Sequence, residues 1–231
     1  MTVASRREKE REARRNRILD AAQQVFWERG LDLATMDQVA EAAEVAKGTL
    51  YLYFKTKEDL LLGIANRHQR QLLEDYAAVR RAGGSGFHQL SAMLDVYGRR
   101  MSGPFEHLKV IVARWATAAP FEGERGEGMR RNIRALYEAV VSTVERGQAD
   151  GTIRDDLPAA HLALHLWSAT NGALLMELQR GCMGKDRLLK APSLGWRDHL
   201  GFHLDNVRSA RRSDAGAVVG HDFLTEEARE A

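Results

Sequence analysis

TMDQVAEAAEVAKGTLYLYFKTKEDL, residues 35–60, is the stretch of sequence from which the fold can be predicted. Thr35 and Gln38 have the spacing of a capping box, in which each side chain accepts a hydrogen bond from a free backbone N–H at a helix start. The sequence therefore predicts a helix from Met36. Apolar residues at helical spacing give this short helix one apolar face: Met36, Val39, Ala40 and Ala43.

A second short helix is predicted to open near Lys47, after a turn in which Val45 provides an apolar anchor. Leu50 and Phe54 lie four residues apart in this helix and are predicted to be buried together. The side chains left for another surface are Lys47, Thr49, Tyr51 and Tyr53. Thr56 with Asp59 then forms the cap of a third, longer helix. Two short helices and a tight turn that lead into a long helix are typical of a helix-turn-helix that reads DNA.

The chain from about Arg17 to Leu62 resembles the TetR family of bacterial transcription regulators. The family's DNA-binding signature closes with a glycine, a small polar residue, an apolar residue, Tyr-x-Tyr-Phe and a lysine. Those positions are Gly48, Thr49, Leu50, Tyr51, Leu52, Tyr53, Phe54 and Lys57. The resemblance implies an all-α protein, in which an N-terminal three-helix helix-turn-helix DNA-binding domain is joined by a long helix to a C-terminal helical ligand-binding and dimerisation domain.

Two residues depart from the family pattern. Glu44 stands where the family usually has the turn glycine, and it must hold a backbone conformation that glycine adopts freely, at a cost of about 1 kcal/mol. Ala46 stands where the family usually has a serine, and it removes the usual helix cap, which is again worth about 1 kcal/mol. Both changes are expected to affect the DNA-binding helix without altering the fold.

The exposed start of the second short helix is the end that enters a major groove in this motif. Base contacts are therefore expected from Lys47, Gly48 and Thr49. Phosphate contacts are expected from Thr35, Tyr51, Tyr53 and Lys57. Leu52 is either a groove contact or an exposed apolar residue without a role.

The rest of the chain is also predicted to be helical. A first helix carries Ile18, Ala22, Val25 and Phe26 and ends at Gly30. A long helix over residues 57–81 joins the two domains, and a glycine-rich linker follows at residues 83–86. Further helices are predicted at 87–101, 105–118, 129–146, 159–180 and 196–207, with a break at 102–104 and a turn region at 120–128. The predicted domains are a basic arm (1–16), the helix-turn-helix domain (17–62), the ligand-binding and dimerisation domain (63–209) and a flexible tail (210–231).

The predicted ligand pocket rests on aromatic, sulfur-containing and polar residues in the helices that build the family's pocket. These candidates are Tyr97, Met101, Phe105, His107, Arg114, Trp115, Phe121, Met129, Tyr137 and Trp167. Together they indicate an apolar or aromatic ligand, although each residue taken alone is more often plain core. Arg114 is expected to pair with either an anionic ligand group or a neighbouring carboxylate.

Two histidine pairs have the four-residue spacing that can hold a metal: His161 with His165, and His199 with His203. The alternative is that they are ordinary interface or surface histidines, which is favoured because no carboxylate or cysteine joins either pair at a ligand spacing. No metal and no cofactor are therefore expected. Cys182 is the one cysteine and cannot form an internal disulfide, which fits a reducing compartment.

A cytoplasmic location is expected from the composition, because no stretch of about eighteen apolar residues lacks charge and the N-terminus is hydrophilic. The net charge is only +2, but residues 1–17 carry seven basic and three acidic side chains. This segment either reaches DNA phosphates or is the mixed-charge start of a solvated helix.

The resemblance to the TetR family implies a transcriptional regulator, most simply a homodimeric repressor that pairs through its last two long helices and is expected to leave a palindromic operator when a small molecule binds. Two alternatives are a DNA-binding protein without a ligand and a metal-dependent enzyme in a helical bundle. The enzyme is disfavoured because the chain has no Gly-rich phosphate loop, serine nucleophile elbow or HExxH motif.

Overall fold

The computed structural model describes residues 3–101, 124–182 and 196–208. In these ranges the backbone forms eight helices, as the sequence predicted for an all-α protein. They are α1 (Val3–Arg29), α2 (Met36–Ala42), α3 (Lys47–Tyr53), α4 (Lys57–Ala82), α5 (Gly86–Met101), α6 (Glu124–Ala149), α7 (Ala159–Cys182) and α8 (Trp196–Val207). The predicted helix at 105–118 and the tail at 210–231 lie outside the described residues. None of the described helices is long and apolar enough to cross a membrane.

Both predicted capping boxes are present. The Gln38 amide donates to the Thr35 hydroxyl at 3.3 Å, and the Thr35 amide donates to the Gln38 side-chain oxygen at 3.0 Å. At α4, the Asp59 amide donates to the Thr56 hydroxyl at 3.1 Å, and the Thr56 amide donates to the Asp59 carboxylate at 3.1 Å. Local side-chain chemistry therefore fixes where α2 and α4 begin.

The turn between α2 and α3 has the two unfavourable features expected of Glu44 and Ala46. Glu44 is the described non-glycine residue with a positive φ, 54°. Ala46 precedes α3 and makes no side-chain capping bond. The turn is held by backbone bonds, such as the one from the Val45 amide to the Ala40 carbonyl at 3.0 Å.

The core of the DNA-binding domain is formed by α1 to α4 and by one residue from much later in the chain. Met129 of α6 is only 1% exposed and is buried in this core, and Ile133, one helical turn further on, packs against it. The other buried members are Ile18, Leu19, Ala21, Ala22, Val25, Phe26, Ala34, Val39, Ala40, Ala43, Leu50, Phe54, Leu60, Ile64 and Ala65. The core therefore extends beyond the domain boundary expected at residue 62.

The start of α6 corrects the prediction of a turn region up to Gly128. The helix already begins at Glu124 and includes that glycine. Glycine weakens a helix by about 1 kcal/mol, but tertiary contacts outweigh this preference. Met129 is buried, and the Asn132 side chain donates to both the backbone and side-chain oxygens of Asn66 on α4 at 3.4 and 3.2 Å.

A second core joins the far half of α4 to α5, α6, α7 and α8. At its edge Gly86, predicted as part of a linker, is the first residue of α5. A Cβ built on Gly86 would lie 2.2 Å from the Gly147 Cα on α6. Close backbone packing therefore requires glycine at this position, and the connection between α4 and α5 shortens to residues 83–85.

One histidine of α7 meets one histidine of α8 across the two helices. The rings of His165 and His203 lie edge to face with their centroids 5.4 Å apart. Burial lowers the pKa of His203, and the nearby His165 and His199 lower it further. Among the described residues, no group of three or more His, Cys, Asp and Glu side chains could hold a metal ion.

Replacing Glu44 with Gly and Ala46 with Ser should stabilise the domain. The first change relieves the strain of the positive φ, and the second restores a helix cap. Each is expected to raise the free energy of unfolding by about 1 kcal/mol. Urea unfolding of the full chain measures the gain, with Glu41→Gly as a control for glycine in the regular backbone of α2. The interpretation of the turn is wrong if Glu44→Gly destabilises as much as Glu41→Gly.

Candidate DNA interface

The start of α3 presents a small exposed surface above a buried base. Leu50 is fully buried and Phe54 nearly so, and together they hold the inner face of α3 against the domain core. On the outer side Lys47 and Gly48 are exposed and Thr49 is half-buried. A Cβ built on Gly48 would meet nothing within 4 Å. The three residues predicted for base contacts therefore lie together at one accessible helix end.

Lys47 is held by a carboxylate from the preceding helix. Its ammonium lies 2.7 Å from Oδ1 of Asp37 and 2.8 Å from Oδ2. The two side chains remain 61% and 63% exposed. The hydrogen bond and the charge of Asp37 raise the pKa of Lys47. Because exposed ion pairs contribute little to stability, a competing group can displace this carboxylate from the ammonium.

The tyrosines predicted for phosphate contacts, Tyr51 and Tyr53, are both half-buried, and Tyr53 packs against the domain core. Leu52 lies between them and is 79% exposed. Single exposed apolar side chains are common on protein surfaces. Both alternatives for Leu52, a groove contact and an exposed residue without a role, therefore stay open.

Thr35 and Lys57 have structural roles in the DNA-free protein. Thr35 is exposed but uses its oxygen to cap α2. The Lys57 ammonium donates to the carbonyls of Leu31 and Asp32, at 2.9 and 3.3 Å, and so holds the connection between α1 and α2. A phosphate contact by Lys57 would have to share the ammonium with these carbonyls.

The basic segment at the start of the chain is helical from Val3 onward and continuous with α1. Arg6 pairs with Glu10 one turn later at 3.0 Å, as expected of a mixed-charge helix. Arg15, further along α1, lies over the Phe54 ring at 5.4 Å from its centroid. Burial lowers the pKa of Arg15. Its contact with Phe54 links α1 directly to the end of α3.

The predicted ligand residues do not all come together. Tyr97, Tyr137 and Trp167 pack against the second core, whereas Met129 belongs to the core of the DNA-binding domain. Burial raises the pKa of Tyr97 to about 12, and the Tyr137 hydroxyl donates to the Ala160 carbonyl at 2.8 Å. The remaining candidates lie outside the described side chains: Met101, Phe105, His107, Arg114, Trp115 and Phe121.

Two features of this interface were missed from the sequence, the Lys47–Asp37 pair and the Lys57 anchor. Their partners lie ten and about 25 residues away. The spacing of helix caps gives no signal for such contacts. From the sequence, an aspartate in the first turn of α2 is explained equally well by its favourable interaction with the helix dipole.

Comparisons with known proteins agree with this geometry. Residues 18–64 match the family described as "Bacterial regulatory proteins, tetR family". Over 87 residues the chain is 33% identical to the HTH-type transcriptional activator FasR of Mycolicibacterium smegmatis. This alignment covers 38% of this chain and 40% of that protein. Over 88 residues it is 37% identical to the HTH-type transcriptional repressor KstR of the same organism, covering 38% and 43%. The chain therefore spans less than half the length of these relatives.

The likeness in fold extends over most of the chain. The crystal structure of the transcriptional regulator FadR from Bacillus subtilis in complex with stearoyl-CoA superposes with a TM-score of 0.65 at 17% identity, covering 82% of this chain and 95% of that one. The helix-turn-helix match and the shared all-helical fold agree with each other. Residues 18–64 of this chain are therefore similar to the helix-turn-helix of the TetR family of bacterial regulatory proteins, and the fold of the chain is similar to that of the regulator FadR.

Proposed function

We propose that the protein is a cytoplasmic homodimeric repressor that binds a palindromic operator in double-stranded DNA and leaves it when a small molecule binds. The observation that carries the proposal is the exposed start of α3, where Lys47, Gly48 and Thr49 form a surface above a buried base. A helix end of this kind can present donors and small side chains to base edges in a major groove.

A dimer is required because one such motif reads few bases. Two copies related by symmetry read a palindrome with half-sites one or more helical turns apart. The last two described helices provide an apolar face for this contact. Leu164 of α7 is 54% exposed and Phe202 of α8 is 65% exposed. Pairing of α7 and α8 with a second copy would cover both side chains.

Release by a ligand requires that the ligand bind the non-DNA conformation more tightly. The second core, where Tyr97, Tyr137 and Trp167 pack, is the natural place for an apolar or aromatic group. The stearoyl-CoA held by the structurally similar FadR makes long-chain acyl-CoA the first effector class to test. Helix α4 connects this core to the DNA-binding domain and supports a mechanical coupling between them.

The operator hypothesis is tested by footprinting the full-length protein on DNA that flanks its own gene, with and without acyl-CoA and a metabolite library. We expect a protected palindrome that one class of compound releases. Protection that is indifferent to sequence would contradict the proposal and indicate an architectural DNA-binding protein. Specific protection that no compound releases would contradict the ligand-dependent part alone.

Replacing Asp37 with Asn should raise operator affinity, because it frees the Lys47 ammonium and removes a negative charge near the phosphates. We expect a gain of about three- to tenfold at low salt. Glu41→Gln removes the same charge from an exposed position on α2 without touching Lys47, and it is the matched control. An affinity for Asp37→Asn no higher than that of Glu41→Gln, measured by fluorescence anisotropy, would show that releasing the Lys47 ammonium from Asp37 does not strengthen operator binding.

A further inference from the structure

A second polar site lies at the end of the protein opposite the DNA-binding helices. A cavity of 460 Å³ opens where the last turn of α4, the start of α5 and the late part of α6 meet. Three arginines line it, Arg80 and Arg81 from α4 and Arg146 from α6, together with Gln89 and Ser142. We propose that this cavity binds the phosphate group of a small molecule.

The charge around the cavity is unbalanced. No carboxylate lines it. The C-terminal ends of α4 and α6 carry roughly half a negative charge each, which accounts for part of the arginine charge. Asp150 interacts electrostatically with Arg146 and balances a further part. An excess of roughly one to two positive charges remains, which a phosphate group matches in sign and size.

Two of the lining side chains are fixed in place. Arg146 and Gln89 both donate to the Gly84 carbonyl, each at 3.2 Å. Gln89 is only 2% exposed, although it is polar. The Gly84 contact uses part of the donor capacity of Arg146, and a guanidinium has further N–H groups for a ligand oxygen. The cavity thus combines one guanidinium held by a hydrogen bond with two exposed guanidinium groups from α4.

The position of the cavity argues for a small molecule. Arg80 lies 23 residues along α4 from Lys57, which is about 35 Å at the rise of an α-helix. DNA held by α3 does not reach that far along the helix. The cavity volume is within the usual range of small-ligand sites, about 300–1,000 Å³. A phosphate with part of the molecule that carries it therefore fits.

The inference does not depend on the proposed repressor function. A phosphate can come from a nucleotide-containing molecule, such as coenzyme A, or from free inorganic phosphates. Both sources present the same oxygens to the arginines. They differ in whether atoms beyond the phosphate contribute to binding.

Isothermal titration calorimetry of the full chain with pyrophosphate and with coenzyme A tests the proposal. The site variant is Arg80→Ala with Arg81→Ala, because both arginines are exposed and their removal leaves the Gly84 contacts intact. The matched control is Arg131→Ala with Arg134→Ala, which removes the same charge from exposed positions on α6 outside the cavity. Circular dichroism confirms that each variant is folded.

We expect saturable binding of at least one probe, one molecule per chain, with a loss of at least tenfold in the site variant and less than twofold in the control. Arg146→Ala, which removes the held guanidinium, should weaken binding similarly.

Tighter binding of coenzyme A than of pyrophosphate identifies a nucleotide source, and equal binding identifies a free phosphate source. No saturable binding of either probe at millimolar concentration, or an equal loss in the control, overturns the proposal. Unchanged operator binding by the site variant separates this result from the repressor hypothesis.

Discussion

The burial of Met129 in the core of the DNA-binding domain is the contact on which the packing of α6 against this domain depends. The residue belongs to α6, well beyond the helix-turn-helix, yet it is packed among the residues that support α2 and α3. Truncating a buried methionine typically costs about 2–5 kcal/mol. The DNA-binding domain therefore does not have a complete core of its own, and α6 has a direct influence on how its helices are held.

Polar contacts extend this connection from α6 to α1. Asn132 on α6 is bonded to Asn66 on α4. The next residue on α4, Arg67, reaches α1, where it pairs with Asp20 at 2.7 Å and donates to the Asn16 carbonyl at 3.2 Å. On the other side, a Cβ built on Gly63 would lie 2.9 Å from the Phe54 ring, so α4 passes directly over the end of α3. A shift of α6 thus meets packed groups on both of the helices that support α3.

Local signals predicted the DNA-binding domain well. The capping boxes at Thr35 and Thr56, the unfavourable turn at Glu44 and the buried pair Leu50 and Phe54 were all confirmed, because each depends on residues within about four positions in sequence. The predicted start of α6 was wrong, because the packing of α6 against α4 outweighs the low helix propensity of two glycines. Long-range contacts, such as those of Lys47 and Met129, produce no periodic pattern in the sequence. They depend on where the helices meet, which one sequence does not specify.

Hydrogen–deuterium exchange of the full chain tests most directly whether α6 holds the recognition helix. Met129→Ala and Met93→Ala each open a cavity at a fully buried methionine, the first in the core of the DNA-binding domain and the second in the other core. We predict that Met129→Ala speeds amide exchange across α3 at least tenfold and that Met93→Ala leaves it unchanged. Unchanged exchange across α3 in Met129→Ala, with α6 alone loosened, would contradict the account.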